Sequence, residues 1–519
     1  LSGQQIPIGP FTGGLNTFSD PASVSSNELV VAQNVELDLD GSIKSRPPFV
    51  DTTVTLTLGA TGNIVLLGYY YDTAGSPFLL ATNGLNNTYF FTGSAWVSVF
   101  DPAAGHTAFA ATAFTQYNGR AYLLAPEGGA GSSGYWISGG TYGTFTAETN
   151  MPKGNILVNY KDRLWVSGFA SEPTKIRYSN ILGDPAGFWV ATPDFVDIGF
   201  GDGQEIVQVL VYYNTIMVFR SRSIWSYTYS DDPATGTVSQ VVGSIGLSSK
   251  EAVVVFESYI YFMYDDRAYE FTNGRAAQLN LKVPFEAGSQ AGIYMPFVVS
   301  EFNRRIIFSY YDTMFVYNLI TRTWTSWNST VYGSIGKIMK RESEDIDTFA
   351  YVHSSTAVTG ATRLAKTLTI SDVISASGEA MVCTMQTKDL DYSATAKFKR
   401  LFWWGVDGLF RGTLTATAFP ISFSSQINWS VVRATTWGNI RNFTWSQPQT
   451  PQASVETVRT TAGTTPGRRL IKFLKSLRFR QINFKISVSM DGTLSTAPMR
   501  IYSLITYVDA KETVSKAIN

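Results

Sequence analysis

The stretch Tyr117-Asn-Gly-Arg-Ala-Tyr-Leu-Leu decides how this chain is read. An aromatic residue is followed by a polar or small turn and then by an apolar strand-like run. The phrase returns as Tyr160-Lys-Asp-Arg-Leu-Trp-Val, as Tyr213-Asn-Thr-Ile-Met-Val-Phe, as Phe256-Glu-Ser-Tyr-Ile-Tyr-Phe and as Phe302-Asn-Arg-Arg-Ile-Ile-Phe. Its starts lie 43, 53, 43 and 46 residues apart. A period of about 45 residues with about four short strands per unit is the blade pattern of a β-propeller.

The second half of each unit fits the same pattern. Asp265-Asp266-Arg267 reads as a tight turn before the strand Ala268–Phe271, and Thr272-Asn-Gly274 as the next turn. Tyr317-Asn318 followed by Trp324 resembles the last strands of a kelch-type blade, as does Phe90-Phe-Thr-Gly93 followed by Trp96. A twisted four-stranded sheet cannot bury both faces alone, and radial stacking buries them against neighbouring sheets. Blades are expected at about 50–100, 101–150, 151–198, 199–245, 246–290, 291–335 and 336–385. Seven is the count that fits best, with six and eight also compatible.

Outside the repeat, residues 1–49 read as an extension ending in a hairpin at Asp40-Gly41 that braces the propeller. Residues 386–519 lose the repeat. Their alternating runs, Thr413–Phe423, Leu477–Val488 and Ile501–Val508, read as a C-terminal antiparallel β-sandwich. The fold class expected is all-β. Gly467–Leu477 is the one segment with a helical look.

Composition narrows the function. Charged residues are 15% of the 519, and 40 Lys+Arg balance 40 Asp+Glu. A neutral, charge-poor chain is not built as a nucleic-acid coat or a membrane-surface binder. One cysteine, Cys383, excludes an intrachain disulfide, and two histidines, His106 and His353, argue against a His-rich metal centre. No run approaches the roughly 20 apolar residues of a bilayer span, so no stable membrane insertion is expected. The first residues show no basic and then apolar leader.

In order along the chain, several phrases resemble the β-propeller tail proteins of tailed bacteriophages. They are Gly13-Gly14-Leu15-Asn16-Thr17, Ser19-Asp20-Pro21, Asn34-Val35 and Asp40-Gly41-Ser42-Ile43 with Arg46-Pro47. Pro173-Thr-Lys-Ile-Arg-Tyr-Ser179, with Asp184-Pro185 and Phe188-Trp189, is similar to a second phrase of that group, as is Ile245-Gly246-Leu247. Thr387-Lys388-Asp389-Leu390-Asp391, followed by Phe398-Lys-Arg-Leu-Phe402, resembles the junction with the C-terminal part. Family members often carry Cys where Leu247 stands.

The resemblance implies a structural virion protein, the tail nozzle (tail hub) of a short-tailed phage, forming a ring that extends the DNA-ejection channel. It implies a homo-oligomer, a hexamer in the nozzle group. Implied partners are the adaptor and portal, other tail proteins and tail fibres, with genome DNA passing through without specific binding. It implies a location in the virion tail after assembly in the host bacterial cytoplasm. The alternatives are a propeller minor tail protein of a long-tailed phage, for which a trimer is the implied ring, and a carbohydrate-binding or hydrolysing propeller. A generic scaffold for protein partners is a third class.

No catalytic set emerges. The chain has no HExxH, no G-x-S-x-G and no P-loop. His106 and His353 read as loop or strand-end residues, and Cys383 as a buried strand residue. Glu342, Glu344, Asp345 and Asp347 cluster in one loop and read as a solvated charge run. Asp38 and Asp40 before Gly41 look like part of a calcium loop, but Pro47 stands where its closing Glu belongs. Ser489-Met-Asp-Gly492 reads as a turn. The basic stretch Arg468–Lys485 holds seven Lys or Arg and reads as a strand with one basic face meeting an acidic neighbour subunit; contact with passing DNA is the other reading. The expectation is therefore no enzyme activity, no cofactor, and no catalytic, cofactor-binding or metal residue.

Overall fold

The computed structural model describes residues 4–46, 49–51, 64–83, 87–91, 96–99, 111–127, 134–138, 145–148, 150–199, 201–279, 282–283, 298–302, 304–310, 313–328, 334–340, 348–353, 364–367, 381–392, 399–409, 412–421, 455–461, 468–479, 481–490 and 499–510. The described elements are strands apart from a 3-10 turn at Pro233–Thr235. They form two compact units. One comprises 49–314 and 329–369, and the other comprises 1–48, 315–328 and 370–519.

The first unit is the β-propeller. Four-stranded antiparallel sheets follow one another at 64–98, 113–147, 156–197, 206–242 and 253–278, each ordered as a meander. The hairpin Val298–Phe302/Arg305–Tyr310 holds the sixth position. The seventh sheet is built from Ser334–Lys340, Thr348–His353 and Leu364–Thr367, and its last strand is Phe49–Asp51. First strands of successive sheets touch, as in Ala113–Tyr117 against Ile156–Tyr160 and Val298–Phe302 against Ser334–Lys340. The seventh sheet closes on the first through Thr348–His353 and Ile64–Tyr71. Seven positions thus complete a ring.

The repeated phrase is the first hairpin of each sheet. In the second strand of a sheet both faces meet protein, so it becomes a continuous apolar run. Ala121–Leu124, Leu164–Val166, Ile216–Phe219 and Ile260–Met263 are all buried. The turns Asn118-Gly119, Lys161-Asp162, Asp265-Asp266 and Asn273-Gly274 have both central residues at positive φ, between 48° and 76°. That conformation matches the right-handed twist of the strands it joins. The aromatic before the turn also reaches the next sheet. Tyr160 Oη donates to Asn214 O at 2.7 Å, and Tyr212 Oη donates to Ser258 O at 2.6 Å. In the fourth sheet the structural counterpart is therefore Tyr212; Tyr213 sits in the turn at φ 51° and is 70% exposed.

Aromatics fill the wedges between sheets. Trp165 is fully buried, with Tyr178 at 4.9 Å, Tyr227 at 5.6 Å and Tyr229 at 5.7 Å between ring centroids. Tyr117, Tyr122 and Phe188 cluster between the second and third sheets.

The second unit has two mainly antiparallel sheets. In one, Lys399–Leu409 lies between Arg468–Phe479 and Arg500–Ala510, and the last of these also pairs with Gln4–Ile8 and Ile43–Ser45. In the other, Gln481–Met490 lies between Met381–Thr387 and Gly412–Ile421, and Met381–Thr387 pairs in turn with Glu28–Gln33. Trp404 joins the two sheets, 4.6 Å from Phe473 in its own and 4.7 Å from Phe484 in the other.

Two sequence expectations change here. The stretch with a helical look keeps to the all-β expectation: Arg468–Phe479 is a 12-residue strand, because pairing with Lys399–Leu409 overrides local propensity. Met381–Met385, placed at the end of the seventh blade, pairs with 28–33 and 481–490 instead, and Phe49–Asp51 supplies the outer strand of that blade. An unpaired outer edge would be a template for aggregation, and a strand from the far end of the chain covers it. The N-terminal extension 1–48, expected to brace the propeller, belongs to the unit of the C-terminal strands, which also includes 315–328.

Candidate functional site

The residues singled out by chemistry do not converge. His106 and the loop of Glu342, Glu344, Asp345 and Asp347 lie outside the described residues, as does Gly492. His353 ends the strand Thr348–His353. Cys383 is buried, and its Sγ donates to Asn34 O at 3.2 Å. Asp38 and Asp40 face a cation, but it is a guanidinium: Arg500 Nη2 stands 3.0 Å from an oxygen of each. Hydrogen bonds from Ser42, with Arg500 nearby, hold the Asp40 carboxyl below its ordinary 3.8. The basic run is split between Arg468–Phe479 and Gln481–Met490, two strands of different sheets. Among the described residues no three His, Cys, Asp or Glu gather as a metal site, and no helix is long and apolar enough to cross a membrane.

What the structure does assemble is a buried polar lock centred on Asn34 and Arg46. Asn34 is its hub, in the left-handed region at φ 55°. Its backbone N–H donates to Ser326 O at 2.7 Å, and its Nδ2 donates to Val382 O at 2.9 Å and to Asn328 Oδ1 at 2.6 Å. Its Oδ1 accepts from Asn328 N at 2.9 Å and from Arg46 Nε at 3.0 Å. Arg46 is 1% exposed, donates from Nη2 to Asn328 O at 2.7 Å and lies 5.9 Å from the centre of the Trp327 ring. A fully buried guanidinium is tolerated only when its donors are satisfied in this way.

The flanking phrases have matching roles. Asn16 Nδ2 donates to Glu28 Oε2 at 2.9 Å, and Gly13 N donates to Asn27 O at 2.9 Å. Gly14, at φ +77°, leaves a Cβ position only 2.7 Å from Thr323 Cβ, so no larger residue fits unchanged. Farther along, Thr387 Oγ1 accepts from Phe484 N at 3.0 Å, and Asp389 Oδ1 accepts from Asn483 Nδ2 at 2.7 Å.

In the propeller a second lock surrounds Arg220, which is fully buried. It pairs with both carboxylate oxygens of Asp202, the Nη1 contact being 2.7 Å, and also donates to Gln204 O. Gly246 packs on it so closely that a Cβ would stand 2.3 Å from Arg220 O. Leu247, the position where the tail-protein group often has Cys, donates its N–H to Arg220 O at 3.0 Å. Burial pushes the Asp202 carboxyl up, while Arg220 and the Gln204 N–H pull it net below its ordinary 3.8. Burial pushes the Tyr229 hydroxyl in the neighbouring wedge up to about 12. Neither Asn34 nor Arg220 stood out as a hub in the sequence; the Ile245-Gly246-Leu247 phrase was the only signal near the second lock.

No family model and no curated protein matches the chain. Solved structures similar to it include BamB from Moraxella catarrhalis, at 10% identity and TM-score 0.36 over 64% of this chain and 92% of that one. The Neurospora crassa Pan2 WD40 domain is similar at 11% identity and TM-score 0.37, over 59% and 89%. A B. thetaiotaomicron extracellular domain is similar at 9% identity and TM-score 0.43, over 71% of this chain; the match spans 43% of that domain's length. The class defined by the fold is the β-propeller, and it rests on the ring of sheets itself.

Proposed function

We propose that this chain is a non-catalytic structural protein of a tailed-phage virion, a nozzle-type tail component that assembles as a homo-oligomeric ring around the DNA-ejection path. The observation that carries the reading is the coincidence of resemblance and architecture. Gly13-Gly14, Asn16, Asn34, Arg46 and Thr387–Asp389 all lie in phrases that resemble the tail-protein group, and they tie chain segments together. Catalytic motifs converge side chains on a reacting centre; these residues satisfy one another and the backbone.

Zero net charge allows many copies to gather without collective repulsion, and head-to-tail contacts between identical subunits close into rings. Six copies follow from the nozzle resemblance and three from the long-tail relatives. Adaptor, portal and fibre proteins are the neighbours in this reading, and DNA passes without a specific site. Cryo-EM of the virion tests it. The expected result is density for this chain as a ring at the tail. A soluble monomer missing from purified particles overturns the proposal.

A further inference from the structure

Lys250 precedes the first strand of the fifth blade, Val253–Phe256. Nζ donates to the backbone carbonyls of Thr112 and Asn155, at the entry to the first strands of the second and third blades. These contacts span 138 and 95 residues of sequence. Blades four and six flank the fifth in the ring, so the lysine reaches across the axis to blades that are not its neighbours.

The cradle is organised from both sides. Thr112 Oγ1 donates to Gly154 O at 2.7 Å, fixing the two acceptor segments to each other. Asn155 N donates to Ser167 O at 3.0 Å, and Gly154 N to Ala125 O at 3.1 Å. On the other side, Gln208 Nε2 of the fourth blade donates to Lys250 O at 3.1 Å, which holds the backbone from which the side chain departs. An ammonium has three donors and no acceptor, and backbone carbonyls are its complement. Bonds from a charged donor are stronger than neutral ones.

We propose that this end of the propeller axis is a carbonyl-lined cation site whose occupant is the protein's own Lys250 ammonium, making the side chain an axial latch that ties the fifth blade to the second and third. A propeller held only by contacts between adjacent blades can open at any one wedge. A tie across the ring resists opening at several wedges at once.

Thermal melting of the full chain tests the charge and the cradle separately. Lys250→Met keeps the length of the side chain but removes the charge; Lys250→Ala empties the cradle. Both are expected to melt roughly 2–4 °C below the unaltered chain. n-Propylammonium chloride should restore Lys250→Ala toward the unaltered melting temperature. Tetramethylammonium chloride at equal ionic strength should not, because it has no N–H to donate. A Lys250→Met variant that melts with the unaltered chain overturns the latch, as does equal rescue by the two ammonium salts. Reductive methylation of the unaltered protein adds a readout that needs no variant to fold. Lys250 is expected to react at least several-fold more slowly than the exposed Lys472, and equal rates overturn the proposal.

Discussion

The propeller and the unit of the chain ends are both made of strands, but they solve opposite problems of connectivity. In the propeller almost every strand pairs with the next one along the chain, through turns as short as Asn118-Gly119. In the other unit Gln4–Ile8 pairs with Leu504–Val508, and Glu28–Gln33 pairs with Met381–Thr387. Local pairing costs little loop-closure entropy, whereas long-range pairing must recover a larger cost before it stabilises anything. The polar lock at Asn34 and Arg46 ties segments 282 to 348 residues apart in that unit. Among the described residues the propeller has one comparable long-range pairing, Phe49–Asp51 with Leu364–Thr367, and it lies where the ring must close.

If the lock secures the non-local unit, Arg46→Ala has the largest effect. It strips Asn34 Oδ1 and Asn328 O of a buried charged donor. A loss of about 3–5 kcal/mol is expected, read as a lower urea midpoint. A change within about 0.5 kcal/mol would mean that strand pairing alone holds the unit.

Closure of the propeller is tested by Val50→Pro, which places a proline at the centre of the closing strand, opposite Lys366. The expected cost is about 1–3 kcal/mol, with faster amide exchange at Leu364–Thr367 than at the Ala113–Tyr117 hairpin. Uniform exchange across both would show that the ring does not depend on its closing strand.

Gly14→Ala asks whether the close approach of the N-terminal phrase to Thr323 matters. Positive φ and a 2.7 Å clash together predict a loss of about 1–3 kcal/mol. The control is Gly75→Ala in the first blade, at φ +78° with nothing near its Cβ position, where only the backbone term of about 1 kcal/mol is expected. Equal losses would remove the packing argument.

The smallest effect is that of Asp202→Asn, about 1 kcal/mol once solvent screening of a carboxylate over a third exposed is allowed for. Its signature is the pH dependence. The folded-state pKa is depressed, so the pair stabilises above the ordinary 3.8 and the contribution is lost as pH falls through the native value. The unaltered protein and Asp202→Asn should therefore differ at pH 6 and converge on acidification below about pH 4. A constant difference would show that the pair is not what Asp202 contributes.

Most of the propeller was legible in the chain because each blade is a local object. An aromatic, a turn and an apolar run recur at blade spacing, and periodicity needs no knowledge of distant partners. The phrase slipped by one residue in the fourth blade, where Tyr212 and Tyr213 are adjacent and only the turn distinguishes them. Legibility stopped at the ends of the repeat. Met381–Met385 alternates like any blade strand, and nothing in its own residues says that it pairs with Glu28–Gln33. The apparent helix at Gly467–Leu477 failed for the same reason, since its partner Lys399–Leu409 is some 60 residues away.

By itself the sequence determined the strand content, the blade spacing and the absence of a recognisable catalytic motif, because hydrophobic period, turn chemistry and residue type are local properties. Only the tertiary structure decided that Phe49–Asp51 closes the ring and that residues 1–48 and 315–328 join the C-terminal strands. It alone placed Arg46 and Lys250 as charges held by partners far along the chain, and Arg220 as a buried charge paired with Asp202. The physical reason is that a buried charge is stabilised by whatever donors and acceptors surround it in space, and those neighbours are set by strand pairings that no local pattern encodes.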